Sequence, residues 1–183
     1  MRYDRTIIGY HGTNRETADK LFAGVPFQSS AKHYDWLGSG VYFWEFGYDR
    51  AVRWVDANYG DDPAVVGAVI QLGSCFDLLD TRFTLDLGQG AKLFHAKWTG
   101  ESKPPKNRGS DRKARFLDCA VINWWLEQLE ASGTGTHYQT VRCGFNEGEP
   151  VHSGMEILSE SHVQIAVRDL NNILGVFRPS SIT

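Results

Sequence analysis

LGSGVYFWEFGYDRAVRW, residues 37–54, joins two glycines, an aromatic strand and a helix start within eighteen residues. Gly38 and Gly40 open it, followed by a short strand, Val41–Trp44. Tyr48 and Asp49 turn the chain into a helix that runs through Ala57, with Gly60 just beyond its end. Glycines before a strand permit backbone shapes that other residues resist and let a ligand come close. The strand puts Tyr42 on one face and Phe43 on the other. Taken alone, the stretch also fits an aromatic core strand followed by an amphipathic helix, so its meaning depends on a partner motif elsewhere.

Upstream, Thr6–Tyr10 reads as an apolar strand that runs into His11-Gly12-Thr13. Thr13-Asn14-Arg15-Glu16 matches a capping box, which starts a helix reaching about Ala23 and stopped by Gly24 and Pro26. His11 therefore sits at a strand end, just before a helix N-terminus with free N–H groups and the positive end of a dipole. That position suits either a core histidine or one that faces a ligand.

Downstream, Ala64–Leu72 is apolar and β-branched, the pattern of a buried strand. A helix is expected over 81–98, weakened by Gly88 and Gly90. Residues 100–113 form a surface loop, and between 103 and 115 six Lys or Arg face one Asp. This run is either a solvated loop or a contact for phosphates. Ser110 or Asp111 caps a long helix over 112–131, and Tyr138–Phe145 reads as a strand. Residues 146–161 are an acidic loop carrying Glu147, Glu149, Glu156 and Glu160. In 162–168, Val163, Ile165 and Val167 alternate with polar neighbours in a two-residue period. Ile173–Phe177 is the last strand. Short strands mixed with helices, no internal repeat and no linker give a single α+β domain over 1–183.

The bulk composition narrows the classes of function. A net charge of −3 argues against a general nucleic-acid binder but leaves room for a local basic patch. Three cysteines, Cys75, Cys119 and Cys143, form no CxxC pair, and the six histidines form no HExxH. No disulfide framework or metal site is expected. No signal peptide and no bilayer-length apolar run is visible, so the chain reads as a soluble protein of a reducing cytoplasm without a membrane partner.

YHGT (10–13) and GVYF (40–43) together resemble the diphtheria-toxin-like and poly(ADP-ribose)-polymerase-like ADP-ribosyltransferases. Those enzymes carry a His followed by Gly and Ser or Thr, a Tyr in a Gly-x-Tyr-Phe strand, and a Glu on a later strand. The segments RFLDCAVIN (115–123), TVRCGFNEGEPV (140–151) and HVQIAVRD (162–169) further resemble bacterial proteins of similar length, some of them toxins of toxin–antitoxin or phage-defence systems. The resemblance implies split antiparallel β-sheets flanked by helices, with NAD as substrate. It implies that Gly12 pairs with the nicotinamide carboxamide, that His11 bonds the adenosine ribose beside Thr13, and that Tyr42 stacks on the nicotinamide. Trp54 closes the sandwich and Ala51 makes room for it. The departure is the third motif, where Gln164 stands in place of Glu. Glutamine can bond a ribose hydroxyl but supplies neither charge nor base. Candidate substitutes are Glu156 or Glu160, or His162 on the same strand face at ~7 Å acting on the acceptor as a base.

The resemblance thus implies a mono-ADP-ribosyltransferase, with Gln164, His162 and Tyr42 as catalytic candidates. Its acceptor is a nucleic acid held by the basic run or, second, a protein, and an antitoxin is a further implied partner. A non-catalytic NAD or ADP-ribose binding module, an NAD-hydrolysing toxin and an unrelated α+β protein are the competing readings.

Overall fold

The computed structural model describes residues 2–99, 103–109, 113–133 and 136–180. It is an α+β fold with six strands and four helices. β1 (Arg2–Asn14), α1 (Arg15–Phe22), β2 (Val41–Glu45) and α2 (Tyr48–Asn58) come first. β3 (Pro63–Asp77), α3 (Thr81–Ala96), α4 (Phe116–Ala131), β4 (Thr140–Phe145), β5 (His162–Val167) and β6 (Ile173–Phe177) follow. The expected caps of α4, Ser110 and Asp111, lie outside the described residues. α1 is capped by Asn14, whose side-chain oxygen accepts from the Thr17 amide, rather than by Thr13, which is buried in the strand.

The sheet is mixed rather than wholly antiparallel. β1 lies antiparallel to β3 from Thr6↔Gln71 to Asn14↔Pro63, β2 to β5 and β5 to β4. The last residues of β3, Cys75–Asp77, run parallel to β4. β3 serves both partners because it turns at Gly73, whose φ of 58° is left-handed. A Cβ there would also strike the side chains of Gln139 and Asn172. Since β1 pairs with β2 as well as β3, five strands close into a ring and β6 lies against β3 outside it.

Strand alternation sorts the side chains into two cores. Val41 and Phe43 of β2, Ile165 and Val167 of β5, and Ile70 and Leu72 of β3 pack together with Ala18 and Leu21 of α1. On the other face Ala166, Val141 and Phe76 pack against Ile122 and Leu126 of α4, with Tyr42 at the margin. On the first face Arg142 lies between two carboxylates, at 2.5 Å from Glu45 and 3.1 Å from Asp77. All three side chains are under a tenth exposed. Such a triad is stable only while complete, since a lone buried charge is heavily penalised.

Candidate functional site

The register between β1 and β2 lasts two residues, Gly9↔Glu45 and Tyr10↔Trp44. The carbonyl of Ile8 accepts from the Phe46 amide, so Ile8, Tyr10 and Gly12 turn their peptide groups toward β2. Beyond Tyr10 the strands part, and the peptide edge of Gly12 faces the gap. The His11 side chain bridges it, with Nδ1–H donating to the Tyr42 carbonyl at 2.9 Å. A carbonyl only accepts, so the proton sits on Nδ1 and Nε2 remains an acceptor. Burial holds the His11 pKa below the ordinary value, partly offset by that bond.

A cavity of about 560 Å³ opens over the face of β2 and β5 that carries Tyr42, Trp44 and Gln164. α2 supplies Arg50, Arg53 and Trp54, the segment before β2 supplies Lys32, Tyr34, Asp35 and Trp36, and the β4–β5 loop supplies Glu147 and Glu160. Lys113, at the end of the basic run, completes the rim, and its carbonyl accepts from the Trp36 indole at 2.7 Å. Trp44 is paired across the sheet with Gln164 and lies between the Arg50 guanidinium, 5.7 Å from its ring, and Trp54, at 5.6 Å.

Hydrogen bonds fix most of these groups in one state. The Tyr42 hydroxyl accepts from the Leu37 amide at 2.8 Å and donates to the Gly38 carbonyl at 2.6 Å. Burial raises its pKa, so the phenol stays neutral and its ring is the part offered to the cavity. His162 donates from Nδ1 to the Glu160 carbonyl at 2.6 Å and accepts at Nε2 from the Gln164 amide at 3.1 Å. Burial lowers its pKa. One N–H of the Gln164 amide therefore goes to His162, and its carbonyl oxygen is the available acceptor. Arg50 binds Glu147 at 3.0 Å and Glu160 at 3.5 Å, and Arg53 reaches Glu160 at 3.6 Å. Two buried donors of this wall, Trp44 Nε1 and Arg50 Nε, have no partner among the described residues.

Of the residues singled out in the sequence, Tyr42, Trp54 and Gln164 meet in this cavity. His162 does not reach it. Its ring is 4% exposed with both nitrogens engaged, so it is held as the support of Gln164 rather than as a base open to an acceptor. Ala51 is wholly buried under α2, on the side of the helix that packs inward. His11 lies on the opposite sheet face, against Phe27 and Phe43. Thr13 is buried in the β1–β3 ladder, and the Cα of Gly12 is covered by Trp54 and Val55, 2.8 and 2.6 Å from where a Cβ would stand. Glu160 lines the cavity, whereas Glu156 is exposed on the loop away from it.

Arg50, Arg53, Trp44 and Glu147 escaped the sequence reading. Arg50, Arg53 and Trp54 stand at i, i+3 and i+4 on one helix, a spacing that places them on one face and could have been read. Glu147 sits in a loop, where no periodicity marks it. Among the described residues no cluster of His, Cys, Asp and Glu could hold a metal ion, and no helix is long and apolar enough to cross a membrane. No protein-family model, curated protein or solved structure matches the chain.

Proposed function

We propose that this chain is an NAD-dependent mono-ADP-ribosyltransferase of the bacterial toxin or phage-defence kind. The observation that carries the proposal is that Tyr42, Trp54 and Gln164, from three separate elements, line one cavity beside the gap where β1 leaves β2. In this reaction the bond between ribose C1′ and the nicotinamide nitrogen breaks, and the bonding pair leaves with nicotinamide. The ribose becomes oxocarbenium-like, and the acceptor's lone pair forms the new bond as it loses a proton. The aromatic walls suit a flat ring, and stacking contributes about 0.5–1.5 kcal/mol beyond burial. The Gln164 carbonyl suits a ribose hydroxyl, and Glu147 and Glu160 are the carboxylates that line the same cavity, each paired with an arginine of α2.

A nucleic acid is the favoured acceptor. Lys113 brings the basic run to the rim, and a nucleobase amine needs less deprotonation than a hydroxyl. A non-catalytic binding module is the second reading, favoured by the pairing of both carboxylates with Arg50 and Arg53, which neutralises them. The test measures nicotinamide released from labelled NAD with RNA, DNA, cell protein or no acceptor. Label on nucleic acid is the expected result, and label on protein alone overturns that choice of acceptor. Release without acceptor makes the chain a hydrolase, and no release under any condition leaves the binding module.

A further inference from the structure

The two arginines of α2 are held by the chain's own carboxylates, and the two carboxylates are not held alike. Glu147 is 12% exposed and contacts Arg50 at 3.0 Å. Glu160 is 35% exposed, and its contacts to Arg50 and Arg53 are 3.5 and 3.6 Å. A long ion pair open to solvent is weakly held, whereas a short enclosed one resists exchange. Around them the cavity carries four cationic side chains against three carboxylates, although the whole chain is acidic. It also carries the two unpartnered donors, Trp44 Nε1 and Arg50 Nε. Both atoms are closed to solvent, so the groups left to receive a ligand are the guanidinium nitrogens that Glu160 touches.

We infer that Arg50 and Arg53 form the receiving site for the diphosphate of a nucleoside diphosphate, and that Glu160 is its resident, displaceable occupant. Glu147 stays on Arg50 and keeps that guanidinium stacked over Trp44. Glu160 gives way, and phosphate oxygens replace its carboxylate on the outer faces of both guanidinium groups. The indoles of Trp44 and Trp54 border the position and suit the attached ring system. Glu160 thereby acts as an internal competitor that lowers the affinity for every anion in the site. The inference takes its ligand class from the reading of this cavity as a dinucleotide site, but no transfer step enters it.

The test is calorimetric titration of the whole chain with ADP and with inorganic pyrophosphate. Glu160→Gln keeps the side-chain shape and removes the competing charge, so both ligands should bind about fivefold more tightly, the value of one exposed ion pair. Arg53→Gln, at a half-exposed position, should weaken both about as much, and circular dichroism checks that each variant is folded. ADP should bind more tightly than pyrophosphate. Unchanged or weaker binding in Glu160→Gln overturns the displaceable occupant. Unchanged binding in Arg53→Gln overturns the receiving site, and equal affinity for the two ligands overturns the nucleoside part. Neither ligand contains a nicotinamide–ribose bond. ADP binding as described without nicotinamide release from NAD would refute the transferase and leave this inference standing.

Discussion

Replacing Tyr42 with Phe removes one oxygen and separates two roles for the residue. The hydroxyl joins the Leu37 amide to the Gly38 carbonyl, at 2.8 and 2.6 Å. Both residues are buried, and Gly38 stands at a φ of 77°, so this corner has no regular ladder to fall back on. Without the hydroxyl, an amide and a carbonyl lose their partner. Each unsatisfied buried group costs about 1–3 kcal/mol, and the loss of a buried phenol oxygen offsets part of this, giving about 2–4 kcal/mol in all. In a chain of this length about 3 °C of melting temperature goes with each kcal/mol, so Tyr42→Phe should melt roughly 6–12 °C lower. The ring, which faces the cavity, is untouched, so on the proposed reading affinity for NAD should change by less than about threefold. Thermal unfolding followed by circular dichroism gives the first quantity, and titration of tryptophan fluorescence gives the second. A melting point within 2 °C of the wild type, together with lost NAD binding, would refute the reasoning and make the hydroxyl a ligand contact.

Three further outcomes are expected. Gln164→Glu should raise the pKa of His162, because a carboxylate beside Nε2 favours the imidazolium; proton NMR of the ring reads this directly. If the proposed transfer is correct, the same variant should release nicotinamide about 2–30-fold faster, from the larger worth of a charged hydrogen bond. Arg142→Met leaves buried Asp77 without its ion partner and Glu45 with only the half-exposed Arg5, 3.1 Å away, and should cost about 3–5 kcal/mol in urea unfolding, with partial recovery when Glu45→Gln and Asp77→Asn are added. Stability should also fall as pH drops below the ordinary histidine value. His11 and His162 are held neutral by burial in the native state while the unfolded chain binds the protons, so each contributes a slope of up to ~1.4 kcal/mol per pH unit between its unfolded and folded pKa. Urea midpoints between pH 7.5 and 5.5, compared with His11→Phe and His162→Asn, measure it.

The local rules read well wherever neighbours in sequence decide the outcome. The Gly-opened strand at Val41, the helix from Tyr48 and the alternation of His162–Val167 all lie where their residue patterns put them. Alternation also places Gln164 on the cavity face with Tyr42. What alternation cannot supply is depth. His162 shares that face, yet the Glu160 carbonyl and Phe145 hold its ring inside. Strand length misled in the same way: β1 runs to Asn14 because β3 pairs with it residue by residue, although His11-Gly12-Thr13 looks like an ending. The strand expected over Ala64–Leu72 runs on to Asp77, since Gly73 lets β3 turn and continue beside β4. Arg50 finds Glu147 only through tertiary folding, from a helix in the first third of the chain to a loop in the last.

The cavity floor has a consequence for the order in which the protein is made. Trp44 and Gln164 are direct cross-strand neighbours, yet nearly two-thirds of the chain is synthesised between them. A ribosome needs on the order of ten seconds to cover that distance. Throughout that interval β2 has only its two-residue pairing with β1, and the wall carrying Tyr42 and Trp44 lacks its neighbour. The nascent chain thus has no complete cavity floor until β5 emerges. A chain stalled or cut within the β4–β5 loop lacks Gln164 and with it half of the cavity floor, and a separately supplied β5–β6 segment is what would restore it.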